Sequence, residues 1–83
     1  MAGKFSWAAF AAEVLRLAPT IIADVEQDKV GFSEEGKVAA ATQATLQASQ
    51  LAQAIDPADT DTINEATGVA YTVISALQTP PPA

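Results

Sequence analysis

Apolar residues recur at steps of three and four along three stretches of the chain, the spacing of one face of an α-helix. The first stretch follows Ser6, a residue type that caps helix starts. Its apolar stripe consists of Trp7, Phe10, Val14, Leu17, Ile21 and Val25. Pro19 has no N–H to donate to the carbonyl of Leu15, so it interrupts this helix. Because the stripe keeps its phase through Pro19, the pattern favours one kinked helix over two separate helices.

A second helix is predicted from Ser33 to Ile55, a segment rich in alanine, threonine and glutamine. Ser33 is the predicted N-cap, and Glu34 and Glu35 suit the positive end of a helix. The predicted buried stripe is Val38, Ala41, Thr45, Ala48, Ala52 and Ile55. Alanine favours helix, but each CH₂ group that it lacks forgoes about 0.8 kcal/mol of burial energy. This helix therefore needs close neighbours.

A third helix follows the Asp56-Pro57 pair, which ends the second helix and can open the next. Asp56 is the predicted N-cap, and Asp61 is a competing one. The predicted buried stripe is Ile63, Ala66, Thr67, Ala70, Ile74 and Leu77. Val69 and Val73 widen it into a second apolar face, which predicts contact with more than one partner. Residues 79–83 are predicted to form an extended proline-rich tail.

Short connections between these helices predict an all-α fold, a small antiparallel three-helix bundle with a kink at Pro19. A break at Pro19 would make it a four-helix bundle. Residues 1–78 are expected to form the single domain. A chain of 83 residues hides only roughly 60% of its unfolded surface on folding. It has no cysteine or histidine, so disulfides and thiolate or imidazole metal sites cannot stabilise it. Association with another chain is the favoured alternative.

The charge balance limits the classes of partner that the chain is expected to bind. Ten acidic residues against four basic ones give a formal net charge of −6, which repels a phosphate backbone and anionic lipid. Direct nucleic-acid binding is therefore not expected. The excess charge either keeps the protein dispersed or makes it an acidic ligand for a basic groove. No stretch of ~20 largely uncharged residues predicts a transmembrane segment, and no signal peptide is visible.

Candidate chemistry is sparse. Without histidine and cysteine, the usual nucleophile and general-base arrangements lose essential members, so neither an enzyme nor a cofactor is expected. One segment, residues 24–35, has oxygen donors at positions one, three, five and twelve, as an EF-hand calcium loop does. Those donors are Asp24, Glu26, Asp28 and Glu35. However, Lys29 stands where that loop needs glycine, so calcium binding is only a further alternative.

Two kinds of residue are candidates for an interface. Buried aromatic residues dominate interface energetics, and Phe5, Trp7 and Phe10 lie together near the start of the chain. They fill either the bundle core or an interface, and Phe5, which lies off the apolar stripe, is the predicted exposed anchor. The other candidates are the second apolar face and the acidic clusters: Val69, Val73, Asp56, Asp59, Asp61 and Glu65.

Four features follow one another along the chain. They are an apolar opening with an alanine-proline step at residues 15–22, an alanine-rich helix, the turn Ile55-Asp56-Pro57 and a final apolar helix. In this layout the chain resembles small helical proteins encoded by bacteriophages and prophages. The resemblance implies a mobile-element context, with the bacterial host cytoplasm or the virion as location. The function expected first is an interaction module that self-associates or docks on a phage-type assembly. The alternative is an acidic inhibitor that occupies a basic groove of a host defence protein, as anti-CRISPR proteins do.

Overall fold

A computed structural model describes residues 5–78, and these form four α-helices without strands. The helices are α1 (Trp7–Asp28), α2 (Glu34–Ala48), α3 (Gln50–Gln53) and α4 (Thr60–Gln78). The predicted all-α helical bundle is therefore confirmed. The predicted tail at residues 79–83 lies outside the described residues.

The first helix forms as one element. The Ser6 hydroxyl accepts a hydrogen bond from the amide of Ala9 and caps its start. Pro19 lies inside α1, and the helix continues to Asp28. One continuous helix is thus the correct alternative at Pro19, and the kink stays a prediction. The bundle has four helices because the predicted second helix is broken at Ser49 into α2 and α3.

That break contradicts the prediction of one helix from Ser33 to Ile55. Ser33 caps α2 as predicted, with its hydroxyl accepting from the amide of Gly36. Ser49 then adopts an extended conformation, with φ of −77° and ψ of 119°, and caps the short α3. Neither glycine nor proline occurs between α2 and α3, so no helix-breaking residue accounts for the break. The Ser49 hydroxyl also donates to the carboxylate of Glu13 in α1.

Two core clusters define the packing. At one end of the bundle, Val25 near the end of α1 packs with Val38 at the start of α2 and with Ile74 near the end of α4. At the other end, Phe10 near the start of α1 packs with Ala66 of α4. Leu46, near the end of α2, packs against this second cluster. It follows that α2 runs antiparallel to both α1 and α4.

The core is built from few large side chains. The largest fully buried ones are Phe10, Ile74, Val14, Thr42, Thr45 and Ser49. Two predicted core residues are exposed instead. Ala48 is exposed because α2 ends there, and Leu77 is 49% exposed because it lies beyond Ile74, the last buried residue of α4. Between residues 5 and 78, no helix is long and apolar enough to cross a membrane.

Candidate interaction surface

The aromatic candidates are part of the folded core. Phe10 is fully buried, and Phe5 and Trp7 pack against it half-buried. The ring centroids lie 4.7 Å apart for Phe5 and Trp7, and 5.5 Å apart for Phe5 and Phe10. The prediction of Phe5 as an exposed anchor is therefore wrong. Its position immediately before the cap residue Ser6, with an apolar residue at the fourth helical position, is a hydrophobic staple. This motif could have been recognised in the sequence.

The acidic residues that precede α4 are engaged in shaping the turn. Asp56 accepts from the amide of Ala58 at 2.9 Å. Asp59 caps α4, because its carboxylate accepts from the Thr62 amide at 3.1 Å and from the Thr62 hydroxyl at 2.7 Å. These bonds, the hydroxyl first, lower the pKa of Asp59. The sequence predicted Asp56 as the cap, with Asp61 as the competing candidate, and both predictions are wrong. Asp61 lies exposed in the first turn of α4.

The candidate calcium ligands do not form a loop. Asp24, Glu26 and Asp28 belong to α1, and Glu35 belongs to α2. Only residues 29–33 separate the two helices, so the twelve-residue loop that an EF-hand requires is absent. Among the described residues, no group of three or more acidic side chains is placed to hold a metal ion.

An acidic cleft opens where α1 ends, α2 begins and α4 ends. Its volume is about 610 Å³, within the range of about 300–1,000 Å³ typical of ligand clefts. It is lined by Glu26, Glu34, Glu35, Val38, Tyr71, Ser75 and Gln78. The carboxylates come from α1 and α2, whereas α4 contributes the ring of Tyr71, which is 41% exposed. The cleft thus combines three carboxylates with an aromatic side chain.

One of these carboxylates is fixed in place. The ammonium group of Lys37 lies 2.7 Å from Glu26, and this hydrogen bond raises the pKa of Lys37. The side-chain amide of Gln78 donates to the other oxygen of Glu26 at 3.3 Å. Glu34 lies 3.9 Å from Lys37 and is 74% exposed. The side chain of Glu35 makes no hydrogen bond or ion pair within residues 5–78. Two carboxylates are therefore available to a partner.

A second, shallower groove runs along the outer face of α4. Its lining is Glu65, Gly68, Val69, Thr72 and Val73. Val69 and Val73 are half-buried because they also pack against the aromatic end of the core. The predicted second apolar face of this helix is therefore divided between the core and the surface.

Sequence reasoning missed the turn beside the acidic cleft. Val30 is 75% exposed and Phe32 is 50% exposed. The Phe32 ring packs over Gly36, whose missing side chain leaves room for it, and Lys29 lies 5.4 Å from the ring centroid. Two bulky apolar residues in a predicted turn were the available signal, because turns usually carry polar side chains.

The cleft offers carboxylates, an aromatic ring and nearby exposed apolar side chains, which are the groups that recognise a cationic segment. Comparison of the chain with protein families, curated proteins and solved structures finds no match.

Proposed function

We propose that this chain is a non-enzymatic protein–protein interaction module that docks on a basic segment of a partner through the acidic cleft. The observation that supports this function is the coincidence of Glu26, Glu34 and Glu35 with the exposed ring of Tyr71 in one cleft. An arginine side chain fits these groups, because its guanidinium group binds carboxylates and stacks on aromatic rings. A phage-particle protein and a host defence protein with a basic groove are the two kinds of partner that the sequence suggests.

The charge distribution supports a cationic partner. Glu26 is held by Lys37 and Gln78, so its orientation is set before binding. Glu34 and Glu35 are exposed and lose little hydration when a cation approaches. The net charge of −6 steers a basic partner toward the protein and repels an acidic one.

The test uses a labelled peptide of alternating arginine and alanine, with its glutamate-alanine counterpart as control. NMR chemical shifts of the full chain should change on addition of the arginine peptide, centred on Glu35, Tyr71 and Gln78. The double variant Glu34→Gln/Glu35→Gln should weaken binding about fivefold, from two exposed pairs at about 0.5 kcal/mol each. Raising the salt to about 1 M should weaken it further, since the Debye length then falls to about 3 Å.

A matched control removes the same charge elsewhere. Asp61→Asn combined with Glu65→Gln also removes two exposed carboxylates, but they lie near the start of α4, at the other end of the bundle. This variant should bind the arginine peptide as the parent chain does. Equal weakening by both double variants would mean that only overall charge attracts the peptide, and it would refute the cleft as the binding site.

Self-association through the outer face of α4 is the second candidate function. Its support is the groove lined by Gly68, Val69 and Val73, where the missing side chain of Gly68 would allow a second helix to approach. Light scattering after size exclusion should then find an oligomer that Gly68→Arg converts to a monomer. A Cβ atom added at Gly68 has no tertiary neighbour within 4 Å among the described residues, so the variant should fold with its side chain directed to solvent. A monomeric parent chain at high concentration would exclude this candidate.

A further inference from the structure

The break between α2 and α3 occurs in a segment whose local preferences favour a continuous helix. Residues 45–54 are threonine, leucine, serine, glutamine and alanine, without a glycine or proline to end a helix. Only Ser49 leaves the helical conformation. Local sequence and tertiary structure therefore disagree here, and an interaction from outside the segment must supply the difference.

Glu13 of α1 supplies that interaction. In a continuous helix, the amides of residues 50, 51 and 52 would donate to the carbonyls four residues earlier. Instead, the Leu51 amide donates to a carboxylate oxygen of Glu13 at 3.3 Å, and the Ser49 hydroxyl donates to the same oxygen. The Ala52 amide donates to the Ser49 hydroxyl at 3.0 Å. Buried amides must find acceptors, and here Glu13 and Ser49 replace the helix's own carbonyls.

The break determines what covers the aromatic end of the core. Leu51, Ala52 and Ile55 pack against the buried cluster of Phe10, Val14, Ala66 and Ala70, as Trp7 also does. A straight continuation of α2 would carry these three residues in a different direction, because Ser49 would lose its extended conformation. The same carboxylate that maintains the break therefore keeps the aromatic cluster covered.

We propose that residues 49–55 are a cover with two states, closed while Glu13 holds Ser49 and Leu51, and open when those contacts are lost. In the open state α2 and α3 join into one helix, and the cluster around Phe10, on which the Trp7 ring also packs, loses part of its cover. The cover acts independently of the acidic cleft, which lies at the opposite end of the bundle.

Among residues 5–78, one charged group forms an ion pair with Glu13. Arg16, on the same helix, lies 3.7 Å from its second oxygen, and no residue from 45 to 55 is ionisable. The Ser49 hydroxyl, followed by the backbone amides of Leu51 and Gln50, lowers the pKa of Glu13, and Arg16 adds a smaller effect. Because the pKa is lowered, the contact stabilises the closed state fully at any pH above the ordinary pKa of glutamate. This stabilisation is lost as the pH falls through the lowered pKa.

The test replaces Glu13 in the full chain at neutral pH. In Glu13→Ala, the ¹³C shifts of Ser49 should change from extended to helical values, and the emission of Trp7, the sole tryptophan, should shift to longer wavelength. Gln50→Pro should restore the closed state in the double variant, because proline suits the first helical position and requires an extended residue before it. Arg16→Gln, which leaves the hydrogen bonds of Glu13 in place, should keep Ser49 extended.

The outcomes separate clearly. Extended shifts at Ser49 in folded Glu13→Ala would overturn the proposal, and so would a change in Trp7 emission that Gln50→Pro does not reverse. If Glu13→Ala does not fold, Glu13→Met decides with the same two measurements, since it removes both acceptor oxygens and keeps the length of the side chain. A red shift of Trp7 together with helical shifts at Ser49 in that variant supports the two-state cover, and unchanged values overturn it.

Discussion

Replacing Phe10 by alanine should be among the most damaging single changes in this protein. Phe10 is the largest fully buried side chain, and its ring lies 5.5 Å from that of Phe5 and 6.2 Å from that of Trp7. Truncating a buried phenylalanine to alanine costs about 3–5 kcal/mol. A chain of 83 residues has a total free energy of unfolding of about 4–12 kcal/mol. The variant should therefore lose a large fraction of its stability.

The assay is urea unfolding followed by circular dichroism at neutral pH. Tryptophan fluorescence is unsuitable as the only probe, because Trp7 contacts the altered site. Phe32→Ala makes the same chemical change where the ring is 50% exposed, and it should cost less than about 1 kcal/mol. Equal losses in the two variants would refute the conclusion that Phe10 anchors the core.

Three further predictions, made with four substitutions, concern helix glycines, a buried hydroxyl group and the cap of α4. Gly68→Ala should stabilise the protein by about 0.5–1 kcal/mol, because its added methyl group meets open space. Gly36→Ala should stabilise it less, since its methyl group meets a ring carbon of Phe32 at 3.2 Å. Urea midpoints compare the two. Thr45→Val should change stability by less than about 1 kcal/mol, because the buried hydroxyl only donates to a carbonyl of its own helix; a loss above about 2 kcal/mol would contradict this. Thr62→Val should raise the pKa of Asp59 toward its ordinary value, as an NMR titration would show. During acidification, the variant should therefore lose the stability contributed by this cap at a higher pH than the parent chain does.

Features that depend on neighbouring residues were predictable from the sequence. The caps at Ser6 and Ser33 and the continuous α1 through Pro19 follow from side chains within one or two turns. The acidic cleft was only partly predictable. Glu34 and Glu35 stood out as helix-start residues, but their meeting with Tyr71 depends on how α2 packs against α4.

By itself, the sequence determined the all-α class, the apolar stripes and the absence of histidine and cysteine chemistry, because periodicity and composition act locally. Only the tertiary structure decided where the second helix ends. The bond that fixes this break joins Glu13 to Ser49, 36 residues further along the chain. The side chain of Glu13, a charged residue in the middle of α1, is only 12% exposed. Helix propensity sums preferences within a turn, whereas this contact exists only after two helices have packed. The packed helices, rather than the local preferences, therefore decided the conformation of residues 49–55.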